Sequence, residues 1–261
     1  MTRFLPIILL IIFQSAPLLS KGFELRYKME EGGIEYRFKT HYKVKFTSLD
    51  EVRNLDEKIS GTFEDQLLKP LENGGFRVSR DIKVQQYIHN GKSEPVKDYE
   101  RNLAGYEYVL DPRKGKVRIV GNNTFDPDDA LEMVVPFPRK SLDVGDTWRT
   151  FYHYSLSVGS KKRISLQGAF KLADIRGNIA RIVGRFRAEI PKDPELDYGG
   201  SIKLDSEYYF HLSRGTIERG KVVTSLIYQS KSLIAREFFR QSQRKERLGY
   251  ALHLTNSFER N

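Results

Sequence analysis

The feature that most constrains this chain is an alternation of apolar and polar residues that returns repeatedly after the first twenty positions. Glu24-Leu25-Arg26-Tyr27-Lys28-Met29 alternates. So does Ile34-Glu35-Tyr36-Arg37-Phe38-Lys39, which runs on through Tyr42-Lys43-Val44-Lys45-Phe46. Successive side chains of a strand point to opposite faces, so a period of two marks a sheet with one buried face. Glu30-Glu31-Gly32-Gly33 separates the first two runs and reads as a tight hairpin turn. Further runs span Phe76 to Tyr87, Tyr106 to Leu110, Val117 to Val120, Trp148 to Val158 and Arg163 to Leu172. The series continues with Ile179 to Ile190, Ile202 to Leu212, Thr216 to Tyr228 and Leu248 to Phe258. Gly, Asn or Pro punctuates nearly every gap. The pattern predicts an all-β fold, mainly antiparallel, as two related lobes or as one wrapped half-barrel or sandwich.

Two stretches read differently. Ser48-Leu49-Asp50-Glu51 has the form of a capping box ahead of Val52, Leu55 and Ile59 at helical spacing, which predicts a short helix over Leu49 to Lys58. Gly61-Thr62-Phe63 then reads as a strand leading to a turn at Glu72-Asn73-Gly74-Gly75. Asp126 opens a second short helix, with Pro127 in the first helical position and Asp128 and Asp129 complementing the helix dipole. It is expected to end before Pro136.

The first twenty residues carry one basic residue, Arg3, an apolar run from Phe4 to Phe13 and the small-residue stretch Gln14 to Ser20. That is the layout of a secretory signal peptide, with cleavage near Ser20 or after Ala16. Its apolar core is about ten residues, half of what a membrane-spanning helix needs, and no later segment approaches that purity. No transmembrane segment is expected in the mature chain. With no cysteine, lipoprotein anchoring, disulfides and thiolate metal sites are excluded, and a bacterial periplasmic or secreted location fits best. The net charge of +10 favours anionic neighbours such as phospholipid headgroups, lipid A phosphates or wall polymers. An exported chain makes nucleic acid an unsuitable partner. The sequon Asn122-Asn123-Thr124 matters only in a eukaryotic source.

The mature chain of about 240 residues is one large β domain or two lobes, 21–121 and 144–261, joined by an Asp- and Pro-rich linker, 122–143. The halves share ordered features. Gly61-Thr62-Phe63, the turn at Asn73 to Phe76 and the hairpin Tyr108 to Val117 precede Gly168-Ala169-Phe170, the turn at Arg176 to Ile179 and the hairpin Phe210 to Ile217. Gly32 to Tyr36 faces Val144 to Trp148 in the same way. An internal duplication is expected.

Catalytic signatures are missing. His41, His89, His153, His211 and His253 lack metal-ligand spacing. Asp126, Asp128 and Asp129 lack the glycine and distal glutamate of a calcium loop. Ser155, Ser157 and Ser160 have no nucleophile motif. Gly199-Gly200-Ser201 is no phosphate loop. Glu189, Asp193, Glu195 and Asp197 read as solvent-facing rather than as a glycosidase pair. The chain is expected to be non-enzymatic, with no cofactor and no metal. Trp148, the only tryptophan, reads first as a core anchor and second as a ligand-stacking residue. The basic run Arg236, Arg240, Arg244, Lys245 and Arg247 reads as a solvated connection or as an anion-facing patch. Lys161-Lys162-Arg163 is a shorter version. The 16 Phe and 14 Tyr are mostly core, with some left to line an apolar cavity.

Val135-Pro136-Phe137-Pro138-Arg139-Lys140-Ser141-Leu142-Asp143-Val144-Gly145-Asp146-Thr147-Trp148 resembles a family of exported bacterial β-rich proteins of unknown function. Their second half opens on a proline-bearing strand end, a short basic stretch and Val-Gly-Asp-x-Trp. Phe210 to Ile217 fits the same pattern. The resemblance implies a β-rich exported domain and brings no catalytic residue. A looser likeness is to the half-barrels of periplasmic lipoprotein and lipid carriers. Together these features point to a protein that binds an apolar or amphipathic, lipid-like ligand, with Trp148, Arg240, Arg244, Lys245 and Arg247 as binding candidates. The alternative is a structural or assembly subunit of an envelope structure or appendage, contacting a protein or an anionic envelope component.

Overall fold

A computed structural model describes residues 22–29, 32–47, 51–72, 74–96, 105–111, 116–120, 134–156, 162–190, 199–230 and 248–261. Every regular element among them is a strand. In chain order these are β1 (Ile34–Thr47), β2 (Val52–Pro70), β3 (Phe76–His89), β4 (Lys92–Glu94), β5 (Tyr106–Asp111) and β6 (Lys116–Val120). The series continues with β7 (Thr147–Leu156), β8 (Lys162–Arg176), β9 (Ile179–Ile190), β10 (Gly199–His211), β11 (Thr216–Ser230) and β12 (Leu248–Arg260).

They form one antiparallel sheet in the order β6-β5-β3-β2-β1-β12-β11-β10-β9-β8-β7, with β4 as a short hairpin on β3. Apart from β4 and the break between β6 and β7, strands that follow one another in the chain lie side by side, and the two ends meet where β1 lies along β12 from Tyr36↔Arg260 to Thr47↔Gly249. This is the order of an up-and-down barrel cut open between β6 and β7, which do not pair among the described residues. Strands from both sequence halves therefore share a single sheet.

The helix expected over Leu49 to Lys58 is corrected: Val52 to Lys58 is the start of β2. Leu55 and Ile59 are four apart, a spacing that fits one helix face and also one strand face, so periodicity alone could not separate them. The ladder with β1, from Val52↔Thr47 to Asp65↔Ile34, decides it. Val52, which the helical stripe would have buried, is 52% exposed. The signal-peptide stretch, the helix expected from Asp126, the sequon and the run Arg236 to Arg247 lie outside the described residues. Of the expected linker 122–143, the part from 134 onward is described, and it is core: Val134, Val135, Phe137 and Leu142 are all buried.

One face of the sheet is buried and carries a row of rings that crosses the strands. Trp148 on β7 packs on Phe170 of β8, Phe170 on Tyr208 of β10, and Tyr208 on Phe258 of β12. Phe258 then meets Tyr36 of β1 and Phe63 of β2. Room for large rings comes from glycines on the same face. Phe170 pairs with Gly184 and Phe186 with Gly168, and a β-carbon on Gly184 would lie 2.5 Å from the Phe170 ring. Each ring occupies the place its partner's side chain would need. Full burial of such a side chain stabilises the fold by about 1.5–3 kcal/mol.

Two extended segments close this face. Segment 22–29 and segment 134–142 are tied together by an antiparallel bridge, Phe23↔Leu142, with backbone hydrogen bonds of 2.8 and 2.9 Å. The Tyr27 hydroxyl accepts from the Val135 amide at 2.8 Å and donates to the Val135 carbonyl at 3.3 Å. Its ring lies 5.0 Å from Phe137 and 5.5 Å from Phe210. Lys28 fastens the first segment to the β10–β11 turn: its amide donates to Gly215 O at 2.9 Å and its ammonium to Ser213 O at 2.9 Å. Gly215 has φ +68°, and a β-carbon there would lie 2.6 Å from Arg26 O, so glycine is required twice over.

Candidate binding face

Among the described residues, the buried charged side chains are Asp65 and Arg80, and they form a cluster. Arg80 on β3 points inward, where alternation places an apolar residue, and so does Asp65 on β2. Arg80 Nε and Nη2 donate to the two Asp65 oxygens at 2.7 Å each, and Nη1 donates to the Tyr106 hydroxyl at 3.1 Å. The guanidinium lies 4.3 Å from the Phe63 ring centre and 5.3 Å from that of Tyr108. Burial works against the arginine's charge, but Asp65 and the two tyrosines more than offset it, and the pKa of Arg80 stands above its ordinary value. Burial, then the Asp65 charge, pushes up the Tyr108 phenol; burial likewise raises Tyr36 and Tyr27. The cavity beside this cluster, between Tyr27, Tyr36 and Val134, has a volume of about 50 Å³. It has room for a water or two, whereas sites for drug-sized ligands run to about 300–1,000 Å³.

The opposite face is polar and grooved. Outward positions of β1 run Glu35, Arg37, Lys39, His41, Lys43, Lys45 and Thr47, so that between Glu35 and Thr47 a comb of basic side chains stands on one side of a single strand. Beside it, register puts Arg37, Glu259 and Arg219 on one rung and Lys39, Ser257 and Lys221 on the next. These rungs line a groove of about 430 Å³ that reaches Tyr209 and Glu207. Arg219 lies over the Tyr209 ring at 3.9 Å. Arg181 Nε and the Tyr209 hydroxyl donate to Glu207 Oε1 at 2.6 and 2.9 Å. The Arg181 bond, and after it the Tyr209 bond, hold Glu207 below the usual carboxylate range. Thus Glu207 is already engaged. Arg37, Lys39 and Lys221 form no ion pair among the described residues. A second groove of about 430 Å³ lies further along the same strands, against Lys43, Lys45, Asp56, Ser225, Ile227 and His253.

Of the residues singled out from sequence, Trp148 is in the core. Its Nε1 donates to Pro136 O at 2.7 Å, and its ring centre is 5.6 Å from Phe170. It is remote from both grooves in register. Arg240, Arg244, Lys245 and Arg247 lie outside the described residues. The histidines whose side chains are described stand apart: His41 with Asp56 at 2.9 Å, His89 with Glu57 at 3.1 Å, His211 with Ser213 and His253 with Ser225. No group of three metal-ligating side chains exists among the described residues. No helix among them is long and apolar enough to cross a membrane.

Sequence reasoning missed Asp65, Arg80, Arg219, Lys221 and Ser257. For the first two there was a signal: Phe63-x-Asp65 and Val78-x-Arg80 place charges on the apolar phase of their strands. For the others the signal exists only after β1, β12 and β11 are aligned side by side. Neither family models nor curated proteins match this chain, so the face is read from its own chemistry.

Proposed function

We propose that this is a non-enzymatic, exported periplasmic or envelope protein that binds an amphipathic, lipid-like ligand through the ligand's anionic headgroup, on the outer face of β1, β12, β11 and β10. The observation that carries the reading is the groove in which Lys39 and Lys221 flank Ser257 and form no ion pair among the described residues, beside a rung where Arg37 and Arg219 outnumber Glu259. Its volume suits a headgroup, and its lining suits phosphate or carboxylate. The buried face argues against an acyl chain held inside the described part of the sheet. Its own segments, 22–29 and 134–142, fill that space and leave about 50 Å³ beside Arg80. Flotation of the chain from Lys21 with phosphatidylglycerol vesicles, and not with phosphatidylcholine vesicles, is the test. Equal recovery with both overturns the reading.

A second reading, an assembly subunit of an envelope structure, is favoured by one observation. The sheet ends at β6 and β7, unpaired with each other among the described strands, and β7 presents Phe151 at 63% exposure. Open edges of this kind accept a further strand. Oxidative cross-linking of Phe151→Cys tests it: with no other cysteine in the chain, a covalent dimer supports an edge contact between copies, and a protein that stays monomeric counts against it.

A further inference from the structure

We propose that the outer face holds two anion subsites about 13 Å apart, and that the ligand is a doubly phosphorylated glycolipid headgroup rather than a singly charged one. This rests on the headgroup reading above and narrows it.

The first subsite is centred on Ser257 of β12, with Lys39 on one neighbouring strand and Lys221 on the other, directly opposite in register. Strand spacing puts the two lysine backbones roughly 9.5 Å apart, within reach of one anion for both ammonium groups, over Ser257, whose hydroxyl donates to Lys39 O at 3.5 Å. On the adjoining rung Glu259 lies between Arg37 and Arg219 and offsets part of their charge.

The second subsite is centred on His253, four residues back along β12. Lys43 faces it from β1 and Ser225 from β11. Ser225 Oγ lies 3.2 Å from Nδ1, which leaves Nε2 as the ring nitrogen open to a ligand. Lys45 adds a further ammonium. Asp56 of β2 stands opposite Lys43 in register and meets the His41 ring at 2.9 Å, so the subsite keeps one carboxylate at its β2 side against Lys43, Lys45 and His253.

What separates the subsites is the rung between them. His41, Thr255 and Val223 lie there, and Thr255 and Val223 carry no charge. The cationic rungs are thus spaced by four residues, which at 3.2–3.4 Å per residue is about 13 Å. A single phosphate reaches one of them. A disaccharide phosphorylated at its two ends presents its charges at a separation of this order, and its second contact is intramolecular, which multiplies affinity without new chemistry.

The test uses soluble headgroups. Calorimetry compares a β-1,6-linked glucosamine disaccharide carrying a phosphate at each end with the same disaccharide carrying one. The bisphosphate should bind at least tenfold more tightly. The pair Lys39→Gln and Lys221→Gln, or the pair Lys43→Gln and His253→Gln, should each bring it down to the level of the monophosphate. These side chains are exposed apart from their ligand role, so each variant should keep its unfolding midpoint. Equal affinity for the two disaccharides overturns the proposal. So does binding to phosphatidylglycerol vesicles without bisphosphate binding, though that outcome leaves the broader headgroup reading standing. Failure with both ligands removes the two together.

Discussion

Arg80 and Asp65 face each other across adjacent strands, β3 and β2, and meet through two hydrogen bonds of 2.7 Å on the buried side of the sheet. Removing one partner leaves a charge on the buried face without its counter-ion, at a cost of about 3–5 kcal/mol. Arg80→Leu is therefore expected to lower stability by that amount in urea unfolding. The double variant Asp65→Leu with Arg80→Leu removes both charges and should be more stable than either single variant. Additive losses would show that the pair is not acting as a unit.

The reciprocal placement of Phe170 over Gly184 and Phe186 over Gly168 predicts an asymmetry between small and large changes. Gly184→Val drives a side chain into the Phe170 ring and the Ser206 hydroxyl, both 2.5 Å from the position of a β-carbon. Overpacking of this kind costs about 1–3 kcal/mol. Ile227→Ser, at a position 59% exposed, should stay within about 0.5 kcal/mol. Chemical denaturation of the two proteins checks the contrast.

Trp148 is the only tryptophan, so its fluorescence reports on one place. With the indole 7% exposed and bonded to Pro136 O, emission should be blue-shifted and weakly quenched by iodide. Trp148→Phe keeps the ring contact with Phe170 but loses the hydrogen bond, and should cost about 1 kcal/mol together with the unpaired carbonyl's penalty. Ready quenching in the native state would place the indole at the surface, contrary to this structure.

Alkaline stability follows from the buried phenols. Burial raises Tyr27, Tyr36 and Tyr108 above the ordinary tyrosine value of 10.0. In the unfolded chain they ionise near that value, so their contribution is intact below about pH 10 and is lost as pH rises through the folded-state values. Absorbance titration near 295 nm should show these phenolates emerging only together with loss of the native fold. A smooth titration of every tyrosine near pH 10, with the fold retained, would contradict their burial.

Much of this architecture is visible in the chain. Alternation placed the β1, β9, β10 and β11 strands because each has one buried face and one wet one, as in Ile34-Glu35-Tyr36-Arg37-Phe38. The start of β2 is ambiguous in the chain because Leu55 and Ile59 satisfy both periods, and only the ladder with β1 separates them. Segment 134–142 looks like linker in sequence because its prolines interrupt any alternation, yet Val135 and Phe137 are completely or nearly buried. The binding face was legible in part. Arg37, Lys39, Lys43 and Lys45 share one phase of one strand, but their partners Ser257 and Lys221 come from about two hundred positions further along the chain, joined only by the β1–β12 and β11–β12 ladders.

The most direct measurement is flotation with vesicles containing phosphatidylglycerol, at rising salt, for the native chain and for the double variant Lys39→Glu with Lys221→Glu. Capture of the native protein is expected at low salt, weakening steeply as salt screens the exposed lysines. The variant should lose at least tenfold in binding with an unchanged unfolding midpoint. Undiminished capture of the variant, or capture of the native protein that ignores both salt and lipid charge, would contradict the assignment of the outer face.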